Sequence, residues 1–132
     1  MKIILITQKK SEVLTKIIES KKLVGIIEPR EDNSLSSIIE KALFKNVKKI
    51  AKKYHIPYLL MKDKKQDILS WIKEKNPDLI VVYSMPFLLK EEVFNFPKLG
   101  TINLHTALLP KYRGAVPIFW TYYYFDRDAG VT

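Results

Sequence analysis

The sequence contains no cysteine, only two histidines and only four glycines among its 132 residues. Without cysteine, disulfides, thiolate metal sites and cysteine nucleophiles are excluded. The two histidines, His55 and His105, are too few for a histidine-rich metal site, so no metal is expected. The first strand-to-helix turn, residues 7–11, has neither G-x-G-x-x-G nor the P-loop pattern. This absence argues against a nicotinamide-dependent enzyme.

The sequence also lacks an apolar stretch long enough to cross a membrane, which takes roughly 18–20 residues. Residues 1–7 are apolar apart from one lysine, but Lys9 and Lys10 follow too early for a signal peptide. We therefore expect a cytoplasmic protein that makes no use of a membrane.

The net charge is +9, carried by 20 lysines and only three arginines. A basic chain can bind an anionic partner such as a nucleic acid or a nucleotide-sugar. Specific recognition of phosphates or bases favours the planar fork of arginine, however, and a lysine-biased genome gives the same charge. The charge leaves both interpretations open, and a nucleic-acid module has nothing else in its favour.

Short apolar runs alternate with stretches at helical spacing, and the composition suits one domain over residues 1–132. Strands are predicted over Lys2–Thr7, Leu23–Glu28, Ile56–Met61, Asp78–Tyr83 and Thr101–Leu104. Helices are predicted after a Ser11 cap and over 34–53, Asp67–Lys75, Lys90–Phe94 and Ala115–Phe125. Continuously apolar strands between helices indicate a doubly wound α/β fold with a mostly parallel sheet.

Asn103 and His105 are two residues apart at the end of the last predicted strand, where open parallel sheets bind ligands. This spacing predicts that both side chains point to one face. An amide donor can meet an oxyanion, and an imidazole can relay a proton from an attacking amine, so the pair suits acyl transfer. The alternative is a pair that only caps a loop.

Two stretches, NLHTALLPKYRGAVPIFW (103–120) and AGVT (129–132), resemble the formyltransferase superfamily. That superfamily includes methionyl-tRNA, glycinamide ribonucleotide and sugar formyltransferases and formyltetrahydrofolate deformylase. Its pattern is Asn-x-His-x-Ser-x-Leu-Pro, then Arg-Gly, then Gly-Val-Thr. The matching residues here are Asn103, His105, Leu109, Pro110, Arg113, Gly114, Gly130, Val131 and Thr132. The stretches HIPYLL and PDLIVVYSMPFLLKEEVFNFPKLG also fit.

The resemblance implies a Rossmann-like domain that transfers a formyl group from 10-formyltetrahydrofolate to an amine. Asn103 would bind the formyl oxygen, and His105 would donate a hydrogen bond and carry a proton. Arg113 and Gly114 would contact substrate, although a structural salt bridge or a carbonyl cap is an equal alternative for Arg113. The implied folate-binding residues are Met85, Phe87, Leu88, Ala107, Leu108, Leu109 and Pro110, with core packing as the alternative for Leu88.

Other side chains have plainer interpretations. Tyr112 is expected to pack, and His55 is expected to cap the end of a helix. The aromatic run Phe119–Phe125 could stack on bases, but consecutive aromatics on a helix face every direction, so core packing or an interface is expected.

Three departures from the family pattern affect the functional expectation. Ala107 replaces the usual serine, and the first turn lacks a glycine that many relatives have. The family's catalytic aspartate follows Gly-Val-Thr, and neither Asp126 nor Asp128 can replace it by position. The strand that residues 130–132 would begin is also cut off, so the sheet is expected to be incomplete at the C-terminus. We therefore expect the 132 residues alone to be inactive, as a fragment, an early stop or a half completed by another chain.

The alternatives to an N-formyltransferase are a formyltetrahydrofolate deformylase and a truncated domain that binds folate or a partner without catalysis. The acceptor amine, such as methionyl-tRNA or an amino sugar nucleotide, and the oligomeric state stay open.

Overall fold

The fold is built on one five-stranded sheet in the order β3-β2-β1-β4-β5. A computed structural model describes residues 1–30, 46–114 and 116–132, which form two compact units, Met1–Ile102 and Asn103–Thr132. The strands are β1 Ile3–Thr7, β2 Leu23–Pro29, β3 Tyr58–Met61, β4 Leu79–Tyr83 and β5 Thr101–Asn103. The helices are α1 Glu12–Glu19, α2 Asn46–Lys53, α3 Leu69–Lys75, α4 Glu91–Phe94 and α5 Pro117–Tyr123.

The central strand β1 pairs in parallel with both β2 and β4, and β2 pairs in parallel with β3. All five residues of β1 are buried, as expected for a parallel strand covered on both faces. The expected doubly wound α/β fold is therefore confirmed. The cluster at its core consists of Ile4, Ile6, Ile27, Met61, Ile68, Ile72, Ile80, Val82 and Val93.

Local sequence signals explain where the helices begin and end. Ser11 caps α1 as predicted, because its hydroxyl accepts from the backbone N–H of Leu14 at 3.2 Å. Asn76 ends α3 in the left-handed conformation, with φ of +45°. His55 follows α2 with φ of +54°, and its N–H donates to the carbonyl of Lys52, which fits the predicted cap.

Several predicted boundaries were wrong by one or two residues. Pro29 was expected to begin a loop but is the last residue of β2, where its φ is compatible with an extended strand. The strand predicted through Leu104 ends at Asn103. Residues 34–45 of the predicted 34–53 helix, and Ala115 of the predicted last helix, lie outside the described residues.

Among the described residues, no helix combines the length and the apolar character that a membrane span requires.

Candidate active site

Asn103 is the last residue of β5 and is exposed. Its side-chain amide forms no hydrogen bond with the residues that the structure describes, so its donors remain available to a ligand. Thr101 fixes the start of the same strand by donating from its hydroxyl to the carbonyl of Phe94 at 2.9 Å. A neutral amide on an anchored strand end suits an oxyanion site.

His105 lies two residues beyond the strand and is half-buried. Because β5 ends at Asn103, the alternation of a strand does not set the direction of the His105 side chain. Its Nε2 lies 3.0 Å from the carbonyl oxygen of Tyr112. A carbonyl only accepts, so Nε2 carries the hydrogen, and Nδ1 of the neutral ring keeps its lone pair. The imidazole can therefore receive a proton at Nδ1.

The backbone of His105 is held by Thr132, since the two residues exchange N–H···O bonds of 2.7 and 2.9 Å. The Thr132 hydroxyl also donates to the carbonyl of Ala107 at 2.9 Å and accepts from the N–H of Leu109 at 3.1 Å. The Gly-Val-Thr stretch thus anchors both the histidine and the turn that follows it.

The turn itself contains a cis peptide bond between Leu109 and Pro110. Ala107 is 2% exposed, so the position that is usually serine in the family is filled by a buried methyl group. Leu108 and Leu109 are 41% and 45% exposed, which leaves apolar surface that is not used in the core.

A second polar cluster lies in the same unit and was not predicted from the sequence. The carboxylate of Asp126 accepts from the Lys111 ammonium at 3.0 Å and from the Tyr112 hydroxyl at 3.1 Å. The Lys111 hydrogen bond, ahead of the Asp128 N–H and the Tyr112 hydroxyl, lowers the pKa of Asp126. The Tyr112 ring packs on Tyr124, with ring centroids 6.1 Å apart. Only the basic-aromatic pair followed by an aspartate could have signalled this cluster, and that pattern is common.

Arg113 and Gly114 are both exposed. Arg113 forms neither an ion pair nor a side-chain hydrogen bond with the described residues, so nothing there supports the structural salt bridge or the carbonyl cap. Gly114 has φ of +102°, a conformation that side chains rarely adopt, which explains why glycine stands there.

Met85, Phe87 and Leu88 belong to the first unit and follow β4. Met85 and Phe87 pack against the core cluster. Leu88 is 97% exposed, so the core-packing alternative for this residue is wrong. A cleft beside Leu88 and Leu89 has a volume of about 20 Å³, which is enough for one water molecule but not for a pterin ring.

The expectation that the aromatic run packs in a core is also wrong. Its members are between 39% and 91% exposed, and the buried residue of α5 is Thr121. The rings instead contact each other, as in the edge-on pair of Phe119 and Trp120, whose ring centroids are 5.2 Å apart. Helical periodicity can select one side of α5 for burial but cannot bury the four aromatics of this helix on all sides.

Within the described residues, no group of three or more histidine, aspartate or glutamate side chains is placed to bind a metal ion.

Known proteins whose sequences resemble this chain are formyltransferases. The sequence model of the Formyl transferase family matches residues 1–132. The chain is 44% identical over 87 residues to methionyl-tRNA formyltransferase of Clostridioides difficile, covering 65% of this chain and 28% of that protein. It is 41% identical over 115 residues to the Azobacteroides pseudotrichonymphae enzyme of the same name, covering 86% and 35%. The chain thus spans about a third of these relatives' length.

Solved structures show the same fold at low identity. Phosphoribosylglycinamide formyltransferase from Bacillus halodurans matches with a TM-score of 0.73 and 18% identity, over 100% of this chain and 70% of that one. A formyltetrahydrofolate deformylase from Pseudomonas putida matches with a TM-score of 0.61 and 20% identity, over 93% and 44%.

Proposed function

The chain belongs to the formyl transferase family, and we propose that it supplies Asn103 and His105 to the site of a protein that transfers a formyl group from 10-formyltetrahydrofolate to the α-amino group of methionyl-tRNA. The observation that carries this proposal is an Asn103 amide that bonds none of the described residues, two residues before a His105 whose Nε2 lies on a carbonyl, in a chain matched by the family over residues 1–132. The net charge of +9 also suits a polyanionic acceptor.

In this reaction the acceptor nitrogen attacks the formyl carbon, a new C–N bond forms, and the bond from the formyl carbon to N10 of the folate breaks. Asn103 donates from its free amide to the formyl oxygen as negative charge grows there. His105 receives the proton lost by the amine at Nδ1, while its Nε2–H stays on the Tyr112 carbonyl. That proton then returns to N10 of the departing folate, so the overall charge balances.

The chemistry of the described side chains fits a folate as formyl donor. A flat heterocycle with polar edges is bound by apolar walls and backbone groups. We assign the apolar contacts to Leu108 and Leu109, each of which exposes apolar surface. Backbone groups around Ala107 and Pro110 would meet the polar edges.

The sequence relatives, rather than the fold, support methionyl-tRNA as the acceptor. The proteins named methionyl-tRNA formyltransferase are 38% to 46% identical to this chain, whereas the phosphoribosylglycinamide enzymes are 16% to 19% identical. We assign Arg113 and Gly114 to acceptor binding, because an exposed guanidinium beside a residue without a side chain can meet a phosphate.

The test is a formyl-transfer assay with 10-formyltetrahydrofolate and methionyl-tRNA, run on the chain extended through the family's catalytic aspartate, because the 132 residues alone are expected to be inactive. We expect Asn103→Ala to lower the rate by about 10²–10³-fold, as for the loss of one oxyanion donor. Asn95→Ala, at the end of α4, is the matched control and should leave the rate unchanged. Acceptor affinity should fall steeply as salt rises.

Other outcomes of the formyl-transfer assay would indicate a different function or a different acceptor. Release of formate without an amine acceptor would indicate a deformylase. Folate binding without turnover on any amine would indicate a non-catalytic domain and would refute the proposal. Equal turnover with an amino sugar nucleotide would refute only the assignment of the acceptor.

A further inference from the structure

The carbonyl oxygen that holds His105 belongs to a residue in an unfavourable backbone conformation. Tyr112 has φ of +53°, in the left-handed region, which costs about 1 kcal/mol or more for a residue with a bulky side chain. Such residues persist where surrounding contacts over-determine their conformation, and they cluster at functional sites. The contacts that hold Tyr112 therefore also hold the hydrogen-bond acceptor of His105.

Two contacts hold the Tyr112 side chain. Its hydroxyl donates to the Asp126 carboxylate at 3.1 Å, and its ring packs on Tyr124. The same carboxylate oxygen binds the ammonium of the preceding residue, Lys111, at 3.0 Å. The Asp126 side chain is 15% exposed, so water competes only weakly for its oxygens. One carboxylate thus fixes two consecutive side chains of the turn.

We propose that Asp126 is a positioning residue for His105: through Tyr112 it fixes the carbonyl that keeps the imidazole in its Nε2–H tautomer. This inference rests on the role proposed above for His105, because a proton acceptor at Nδ1 is needed only if that ring carries the proton. Asp126 does not touch His105 and is not a catalytic residue. It acts at a distance through one side chain and one backbone carbonyl.

The protonation states of the partners agree with this arrangement. Hydrogen bonding, first from Lys111, lowers the pKa of Asp126, so it is an acceptor near neutral pH. Burial, followed by the hydrogen bond to Asp126, raises the pKa of Tyr112, so its hydroxyl stays a donor.

The test uses nitrogen-15 NMR to read which ring nitrogen carries the hydrogen. Because the chain has only two histidines, His55→Asn leaves His105 as the single histidine, and asparagine tolerates the left-handed conformation at that position. We expect the neutral His105 ring to be protonated at Nε2. Tyr112→Phe and Asp126→Ala should each lower the Nε2–H to Nδ1–H ratio by about two- to tenfold, the effect of losing one hydrogen bond.

Tyr123→Phe is the matched control, since Tyr123 is 61% exposed and its hydroxyl bonds none of the described residues. It should leave the tautomer ratio unchanged. If Tyr112→Phe and Asp126→Ala lower the melting temperature but not the ratio, Asp126 is merely structural and the inference is overturned. A ring protonated at Nδ1 in the natural sequence would overturn it as well. If Asp126→Ala does not fold, Tyr112→Phe alone decides.

The formyl-transfer assay separates this inference from the proposed function. In Tyr112→Phe we expect kcat to fall by a smaller factor than the tautomer ratio, because the rate follows the fraction of rings protonated at Nε2. The KM for the folate should stay unchanged, because only proton transfer is impaired. Normal kcat in a variant with an altered tautomer ratio would overturn the inference while leaving the proposed function intact. Absence of turnover in the natural sequence, with the expected tautomer shifts, would remove the proposed function but leave the positioning of the ring.

Discussion

Glu28 carries a buried carboxylate. The decrease in unfolding free energy when this carboxylate loses its cationic partner can be calculated. It is 1% exposed, near the end of β2, and its two oxygens bind the Arg30 guanidinium at 2.6 Å and the Tyr58 hydroxyl at 2.7 Å. The informative perturbation is Arg30→Met, which keeps most of the side chain's apolar length and removes its charge. Among the described residues, the buried carboxylate then keeps only the tyrosine hydroxyl as a partner.

The expected loss of stability is limited by protonation. Removing one partner of a buried ion pair typically costs about 3–5 kcal/mol. Arg30 is 27% exposed, so solvent already weakens the pair, and we expect about 2–4 kcal/mol at pH 7. Protonating a glutamate of ordinary pKa, about 4.3, costs roughly 3.7 kcal/mol at pH 7 and about 1 kcal/mol at pH 5. The loss should therefore shrink by up to about 2.7 kcal/mol between these pH values.

The direction of the pH dependence follows from the linkage between protonation and folding. A carboxylate that is buried without a cationic partner favours its protonated form, so we expect the loss of stability in Arg30→Met to be smaller at pH 5 than at pH 7. Urea unfolding, followed by Trp71 fluorescence in a Trp120→Phe background, measures the loss of unfolding free energy at pH 5 and at pH 7.

A loss that is equal at pH 5 and pH 7, or below 1 kcal/mol at pH 7, would refute the reasoning. As a control, Glu28→Met, Arg30→Met and Tyr58→Phe combined should be near neutral, because no buried charge remains.

Three further predictions concern single positions. In Gly25→Ala the new Cβ would lie 2.5 Å from Cη2 of Trp71, so we expect urea unfolding to show a loss of about 1–3 kcal/mol, relieved by adding Trp71→Phe. At the left-handed Asn76, alanine should lower the free energy of unfolding by about 1 kcal/mol while glycine should not, as thermal unfolding of the two variants will show. Because the folded pKa of Asp126 is lowered, its stabilising effect is present above about pH 4 and lost as the pH falls through the folded value. An acid titration of Trp120 fluorescence should show this transition, and Asp126→Asn should abolish it.

The parallel sheet could be predicted from the sequence because its signals are local. Runs such as Ile3–Thr7 are apolar and β-branched, and a strand with that composition must be covered on both faces. The helix ends at Ser11 and Asn76 carry residue types whose side-chain or backbone chemistry suits those positions. Predicted boundaries were wrong where the local sequence is compatible with two conformations. Pro29 is an example, because its fixed φ suits both a strand end and a loop.

The candidate site was predictable only in part. The spacing of Asn103 and His105 and the family pattern make these two side chains candidates, but they do not predict the hydrogen bond from His105 to the Tyr112 carbonyl. That bond depends on a left-handed tyrosine, which no propensity favours. The exposure of the aromatic run was missed because periodicity predicts which residues could be buried together, not how much surface one short helix can cover.

The containment of the histidine's contacts within one unit has a consequence for recombination between relatives. Every partner assigned above to His105, directly or through Tyr112, lies within Asn103–Thr132. A chimera that exchanges this block whole inherits the imidazole together with its acceptor, the carboxylate behind that acceptor and the threonine that holds its backbone. A crossover between Tyr112 and Asp126 would instead combine a turn from one parent with an anchor from another. Crossover points in shuffled libraries of this family should therefore be tolerated at the borders of the block and selected against inside it.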